Sequence, residues 1–129
     1  MESGSDHRRD IGKSGEDIAC RMLEEMGHII LERNWRSGHL EIDIISFNPE
    51  GIHFVEVKAR KSGIQAPPQD HVNLAKQRRT AKAAMNFLRS GKGIPYGNHE
   101  CFFDVVAVTF EGGSFRTDWF PQAYIPAFL

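Results

Sequence analysis

Hydrophobic and polar positions alternate most clearly between Leu40 and Arg60, LEIDIISFNPEGIHFVEVKAR. Two runs rich in Ile, Val and Phe, Leu40–Phe47 and Ile52–Ala59, predict two strands. Between them Asn48-Pro49-Glu50-Gly51 sets Asn, Pro and Gly where a type I turn takes them. Closed symmetrically about Pro49-Glu50, the hairpin pairs residues whose numbers sum to 99. That register puts Asp43 opposite Glu56 and Glu41 opposite Lys58. Strand periodicity then gives one apolar face, Ile42, Ile44, Val55 and Val57, and one polar face, Glu41, Asp43, Glu56 and Lys58.

Helical periodicity brackets this hairpin. Ala19, Met22, Leu23 and Met26 recur at helical spacing, Ser14 is a candidate N-cap and Gly27 a stop, so a helix is expected from Ser14, behind a flexible lead over residues 1–12. His28–Asn34 reads as the first strand. Lys61–His71, with Gly63, Pro67 and Pro68, reads as a loop. A second helix is expected from Asn73 to Ser90, with Leu74, Ala81, Met85 and Leu88 as its apolar stripe and Phe87 beside it. Lys76, Arg79, Lys82 and Arg89 fall on its opposite side, and Gln77 and Arg78 border the stripe. Cys101–Phe110 is apolar enough for a central strand, in which Asp104 reads as a buried acid paired with a nearby base or backbone donor. Glu111-Gly112-Gly113 turns into a last strand, Ser114–Phe120. The apolar tail through Trp119, Phe120, Tyr124, Ile125, Phe128 and Leu129 packs on the sheet or on a second subunit. The order α-β-β-β-α-β-(β) predicts an α/β fold with a mixed sheet flanked by helices, in one domain over residues 13–129.

Composition narrows the class without naming a function. At 129 residues, 40% hydrophobic and 26% charged, the chain suits one soluble domain. No apolar run approaches the roughly 20 residues of a membrane span, and the polar N-terminus lacks a secretion signal's apolar stretch. Cys20 and Cys101 form no C-x-x-C and are expected as two buried free thiols in a reducing cytoplasm. The net charge of −1 conceals an asymmetry. Residues 1–57 hold 6 Lys/Arg against 12 Asp/Glu, whereas residues 58–92 hold 9 Lys/Arg and a single acid, Asp70. A locally basic segment on a near-neutral chain suits a polyanion partner.

The chemistry concentrates on the hairpin's polar face. Opposed carboxylates repel, and a divalent cation relieves them; Mg²⁺ characteristically binds through one or two carboxylates plus substrate phosphates. Glu16 lies in the first turn of the expected helix, near its inward stripe, where the helix dipole also favours an acid. His39 precedes the hairpin and reads as an exposed loop histidine.

Asp43 followed by Glu56-Val57-Lys58 resembles the D…E-x-K core of the PD-(D/E)xK nuclease superfamily. The likeness extends over Gly15-Glu16-Asp17, Glu32-Arg33-Asn34-Trp35-Arg36, Glu41-Ile42-Asp43-Ile44-Ile45, Phe54-Val55-Glu56-Val57-Lys58, Lys76-Gln77-Arg78-Arg79 and Phe103-Asp104-Val105-Val106-Ala107-Val108. In that order these segments resemble the YraN-like uncharacterised bacterial protein family, itself similar to archaeal-type Holliday junction resolvases. One departure is Leu40, where relatives carry a glycine before the Glu-Ile-Asp triplet.

The resemblance implies a restriction-endonuclease-like core and a Mg²⁺- or Mn²⁺-dependent endonuclease acting on structured or branched DNA. It assigns the metal to Asp43, Glu56 and the backbone carbonyl of Val57, with Glu16 for a second metal or its water. Lys58 takes the catalytic lysine's place, and the run Lys76-Gln77-Arg78-Arg79 that of an extra motif near the site; with Lys82, which the helix spacing sets beside Lys76 and Arg79 on a phosphate-tracking ridge, these are the expected DNA contacts. It also implies a two-fold homodimer. Two other classes are consistent with the residues: a non-catalytic nucleic-acid-binding module on the same fold, and a protein-interaction domain working through its apolar tail.

Overall fold

The computed structural model describes residues 4–63 and 74–125, with side chains from residue 11 onward. Among these the chain order is α1 (Gly4–Glu25), β1 (Ile29–Ser37), β2 (Leu40–Asn48), β3 (Gly51–Lys61), α2 (Leu74–Arg89), a 3₁₀ turn (Ile94–Tyr96), β4 (Cys101–Glu111) and β5 (Ser114–Phe120). The strands lie side by side in that order in one mixed sheet. Only β3 and β4 run parallel, and α2 lies on the crossover between them. This is the α-β-β-β-α-β-β order and mixed sheet expected from the pattern.

Each helix covers one face. Ala19, Cys20 and Leu23 of α1 pack with Ile44, Val55, Val106 and Val108. Ala83, Ala84 and Phe87 of α2 pack with Leu40, Ile42, Ile45, Ile52, Phe54 and Phe103. Alternate residues of β3 and β4 thus feed opposite cores, as the two-residue period of a doubly covered sheet requires. α1 seats closely on β3: a Cβ built on Gly15 falls 2.6 Å from Cβ of Ala59, so that contact admits no side chain.

The hairpin register holds where the strands pair. Ile44↔Val55, Ile45↔Phe54, Ser46↔His53, Phe47↔Ile52 and Asn48↔Gly51 all sum to 99. Oδ1 of Asn48 accepts the backbone N–H groups of Glu50 (3.0 Å) and Gly51 (3.2 Å) and closes the turn. Gly51, at φ +152°, brings the turn so near the carbonyl of Glu100 that a Cβ would lie 2.3 Å from it.

Several expectations are corrected. α1 begins at Gly4, ten residues before Ser14, so Ser14 lies inside it and residues 4–12 continue its backbone. That stretch carries little apolar signal, but extending a nucleated helix needs none, since each added residue gains a hydrogen bond. Ile42 and Ile44 do not share a face: Ile42 joins the α2 core and Ile44 the α1 core. Between the pairs Arg33↔Ile44 and Trp35↔Ile42 sits Asn34, at φ +51°, a left-handed conformation that Asn tolerates better than most residues. That position faces Asp43, the residue of β2 at which the alternation changes.

α2 is also turned about its axis relative to the expected stripe. Of the expected positions, Ala81 and Phe87 are buried and Leu88 packs on the core, but Leu74 is 64% exposed and Met85 37%, and Ala83 and Ala84 take their place. Cys20 is buried, but Cys101 is exposed at the first position of β4. Burial pushes the Cys20 thiol upward, and partial loss of water, with the Glu100 charge adding to it, does the same to the more exposed Cys101. The apolar tail folds back in part: Trp119 packs on the α1 core, and the Tyr124 ring lies 5.5 Å from Phe103, whereas Ile125 is exposed. Most of the expected Lys61–His71 loop, Asn73, Phe128 and Leu129 lie outside the described residues. No described helix is long and apolar enough to cross a membrane.

Candidate functional site

The sheet opens where the polar residues sit. The β2–β3 ladder ends at Ile44↔Val55, one step before Asp43 would meet Glu56. Continuing it would set two carboxylates side by side, a destabilising cross-strand pair. Instead the backbone N–H of Val57 donates to Oδ2 of Asp43 at 2.9 Å. Glu41, expected opposite Lys58, turns the other way and pairs with Arg36 of β1 at 2.8 Å.

Asp43 and Glu56 line a cleft of about 230 Å³ between this opened hairpin and α2, together with Glu41, Lys76, Arg79 and Thr80. His39, although exposed as expected, stands at its mouth. Leu40, at the position of the relatives' glycine, is buried in the wall. Lys76, Thr80, Ala83 and Phe87 are spaced four, three and four residues apart and share one helix face. The cleft is therefore the polar continuation of the α2 core. Lys76 and Arg79, expected to face away, line it because of the helix's rotation. Gln77, Arg78 and Lys82 do not: Arg78 and Lys82 are exposed and Gln77 is partly buried.

Charge is unevenly balanced here. Burial is the main force pushing the Asp43 carboxyl up, from 3.8 to about 6; Glu16, Glu56 and Glu41 add to the rise and the Val57 N–H opposes it. The Glu56 side chain is only 10% exposed. Its Oε1 takes the ammonium groups of both Lys58, at 3.2 Å, and Lys76. Its Oε2 is buried with no hydrogen-bond partner. Burial disfavours the Lys76 charge, but Glu56 outweighs it and the Lys76 pKa is raised. Glu16 does not line the cleft; its carboxylate is 3.9 Å from Arg33, which binds Asp17 more closely at 2.7 Å. Among the described residues no three of His, Cys, Asp and Glu gather as a metal cluster. The donor chemistry nevertheless fits a hard cation of the Mg²⁺ kind. Of the three carboxylates lining the cleft, Asp43 and Glu56 lie deepest in protein, Glu56 with an unsatisfied buried oxygen, and waters and phosphate oxygens ordinarily complete such a site.

A second polar group lies at the turn end of the hairpin. Asp104 is held by His53 (Nδ1 to Oδ2, 2.7 Å) and by the backbone N–H of Gln122 (2.9 Å), a base and a backbone donor of the expected kinds. His53 Nε2 is 2.9 Å from Asn48 Oδ1, Asn48 Nδ2 is 3.4 Å from His28 Nε2, and His28 Nδ1 is 2.9 Å from Ser46 Oγ. Burial, then the neighbouring His53, lowers the His28 pKa. Sequence reasoning missed this chain of side chains. Its one legible trace is His53 between Ile52 and Phe54, a polar residue inside an otherwise apolar run.

Comparison with known proteins is consistent across the chain's length. A UPF0102 protein of Bacteroides thetaiotaomicron is 37% identical over 118 residues, covering 91% of this chain and 93% of the relative. Counterparts from Anaeromyxobacter dehalogenans and Geobacter metallireducens are 39% identical over 119 residues and 38% over 118, each covering 92% of this chain and, respectively, 87% and 94% of the relative. The model of the uncharacterised protein family UPF0102 matches residues 15–108, a span running from the close-packed Gly15 through Asp43 and Glu56 of the cleft to the centre of β4. On these matches, the chain belongs to the uncharacterised protein family UPF0102.

Proposed function

We propose that this chain is a Mg²⁺- or Mn²⁺-dependent endonuclease that hydrolyses phosphodiester bonds in structured or branched DNA. The observation that carries the reading is the pair Asp43 and Glu56 at one cleft, where Glu56 keeps a buried oxygen without a partner. A protein seldom leaves such an atom unsatisfied without a use for it. Asp43 and Glu56 would hold the cation, with the Val57 carbonyl beside them. When bound, it supplies an acidified water and offsets negative charge at phosphorus.

The chain's own groups do the rest. The Val57 N–H fixes the Asp43 carboxylate. Lys58, on the same strand face as Glu56, holds a positive charge next to it, where charge develops in the transition state. Lys76 and Arg79 give the α2 wall a positive character suited to a phosphate. Glu16, whose charge is felt by Asp43, would orient a water from the α1 side. Cys20 and Cys101 as free thiols suit a reducing cytoplasm, and a two-fold dimer would suit a junction substrate.

One observation favours a second reading, a nucleic-acid-binding module that does not cleave. Glu56 is paired with two lysines, which is how a purely structural carboxylate is satisfied. A cleavage assay on single-stranded, duplex, flap and four-way-junction DNA with Mg²⁺, Mn²⁺ or EDTA decides between them. Metal-dependent products on a branched substrate are expected. Tight binding with no cleavage under any metal would leave the second reading.

A further inference from the structure

Glu56 is the residue on which two ammonium groups converge. Its Oε1 holds the Lys76 ammonium, delivered by the first turn of α2, while its Oε2 is buried with nothing to bond. Lys58 approaches the same Oε1 along β3. Two ammonium groups already balance this one carboxylate, so a third cation at Glu56 meets repulsion unless one of them leaves. Lys58 is the less free to move: it is only 18% exposed and stands two residues away on the same strand. Lys76 is 39% exposed on a long flexible stem and lines the open cleft.

From this we infer that Lys76 and the divalent cation are exchangeable occupants of Glu56, so that Lys76 sets how readily the site takes its metal. The inference rests on the metal-dependent reading above and adds a regulation of that site. Displaced from Glu56, the ammonium stays beside Arg79 in the same cleft, where a DNA phosphate would meet it. A phosphate that draws Lys76 away eases metal entry, and metal that displaces Lys76 frees a phosphate contact. The two ligands thereby favour each other, as linkage requires. The protein would load metal chiefly when substrate is in place, which limits unproductive occupancy of the cleft.

The test is Mn²⁺ binding by calorimetry to the full chain without nucleic acid, for wild type, Lys76→Met, Lys76→Arg and Arg79→Ala. Thermal unfolding checks each variant, and Lys76→Gln stands in should the methionine variant fold poorly. Removing a charge that touches the ligand is expected to tighten Mn²⁺ binding about tenfold or more in Lys76→Met. Lys76→Arg should stay near wild type. Arg79→Ala, which takes a cation from the cleft without an ion pair to Glu56, should gain less than about threefold. Equal affinity in wild type and Lys76→Met, or an equal gain in Arg79→Ala, would overturn the exchange and leave the nuclease reading standing. No Mn²⁺ binding by any variant would overturn both.

Discussion

The backbone N–H of Val57 donates to the carboxylate of Asp43 at 2.9 Å, across the gap where strands β2 and β3 have stopped pairing. A ladder bond is replaced by a side-chain bond, and an acid is thereby fixed at the edge of a cleft. Burial nevertheless pushes Asp43 up to about 6, so this one hydrogen bond does not offset the loss of water.

The sign of that shift predicts a pH effect on stability. The folded protein binds the Asp43 proton more tightly than the unfolded chain, from 3.8 unfolded to about 6 folded. Asp43's contribution to stability is therefore most favourable below pH 3.8 and declines as pH rises towards 6. Asp43→Asn removes the ionisation and keeps an oxygen for the Val57 N–H. In urea unfolding without metal it should be more stable than wild type at pH 7.5, by at most about 3 kcal/mol, with the difference closing near pH 4. A less stable variant at pH 7.5 would show that the ionised carboxylate is well supported.

Catalysis is expected to fail when either carboxylate is neutralised. Asp43→Asn and Glu56→Gln should reduce metal-dependent DNA cleavage to background while circular dichroism stays native. Wild-type rates in both purified variants would remove these residues from the mechanism.

Replacing Lys76, Arg79 and Lys82 together by Ala tests the basic residues of α2, two in the cleft wall and one exposed outside it. Every side chain among them that binds a phosphate should, once removed, flatten the plot of log affinity against log salt by about 0.9 on duplex DNA. Binding should weaken alike on unrelated sequences, because the phosphate backbone carries no base information. An unchanged slope would mark this helix face as merely solvated.

Gly15→Ala opposes two effects whose sizes differ. Alanine gains about 1 kcal/mol of helix propensity. Its Cβ, however, would sit 2.6 Å from Ala59 Cβ, a steric insertion that costs about 1–3 kcal/mol when packing is tight. A net loss of stability is expected in thermal unfolding. A more stable variant would show that α1 shifts easily on β3.

Sedimentation at micromolar concentration tests the dimer. A junction-cutting nuclease is expected to sediment as a two-fold pair, yet Trp119 and Tyr124 pack into the chain's own core. A strict monomer would leave nicking or flap cutting as the better-suited activity.

What the sequence determined by itself was local. Strand period, turn chemistry and hairpin symmetry placed β2, β3 and their register over Ile44–Asn48, because neighbouring residues settle these through backbone sterics and Asn48's own side chain. They also marked Asp43, Glu56 and Lys58 as chemistry-bearing residues, and Asp104 as an acid in need of partners. Tertiary structure decided the rest. His53 became the partner of Asp104 because β4 lies parallel beside β3, a pairing between residues 51 positions apart. Ile42 and Ile44 parted because each joined the core of a different helix, Ile42 that of α2 and Ile44 that of α1. Lys76 reached Glu56 because α2 turns the face bearing Ala83, Ala84 and Phe87 to the sheet, and Lys76 lies on that same face. In each case the outcome depended on which surfaces pack most closely across long stretches of chain. Local periodicity carries no record of that choice.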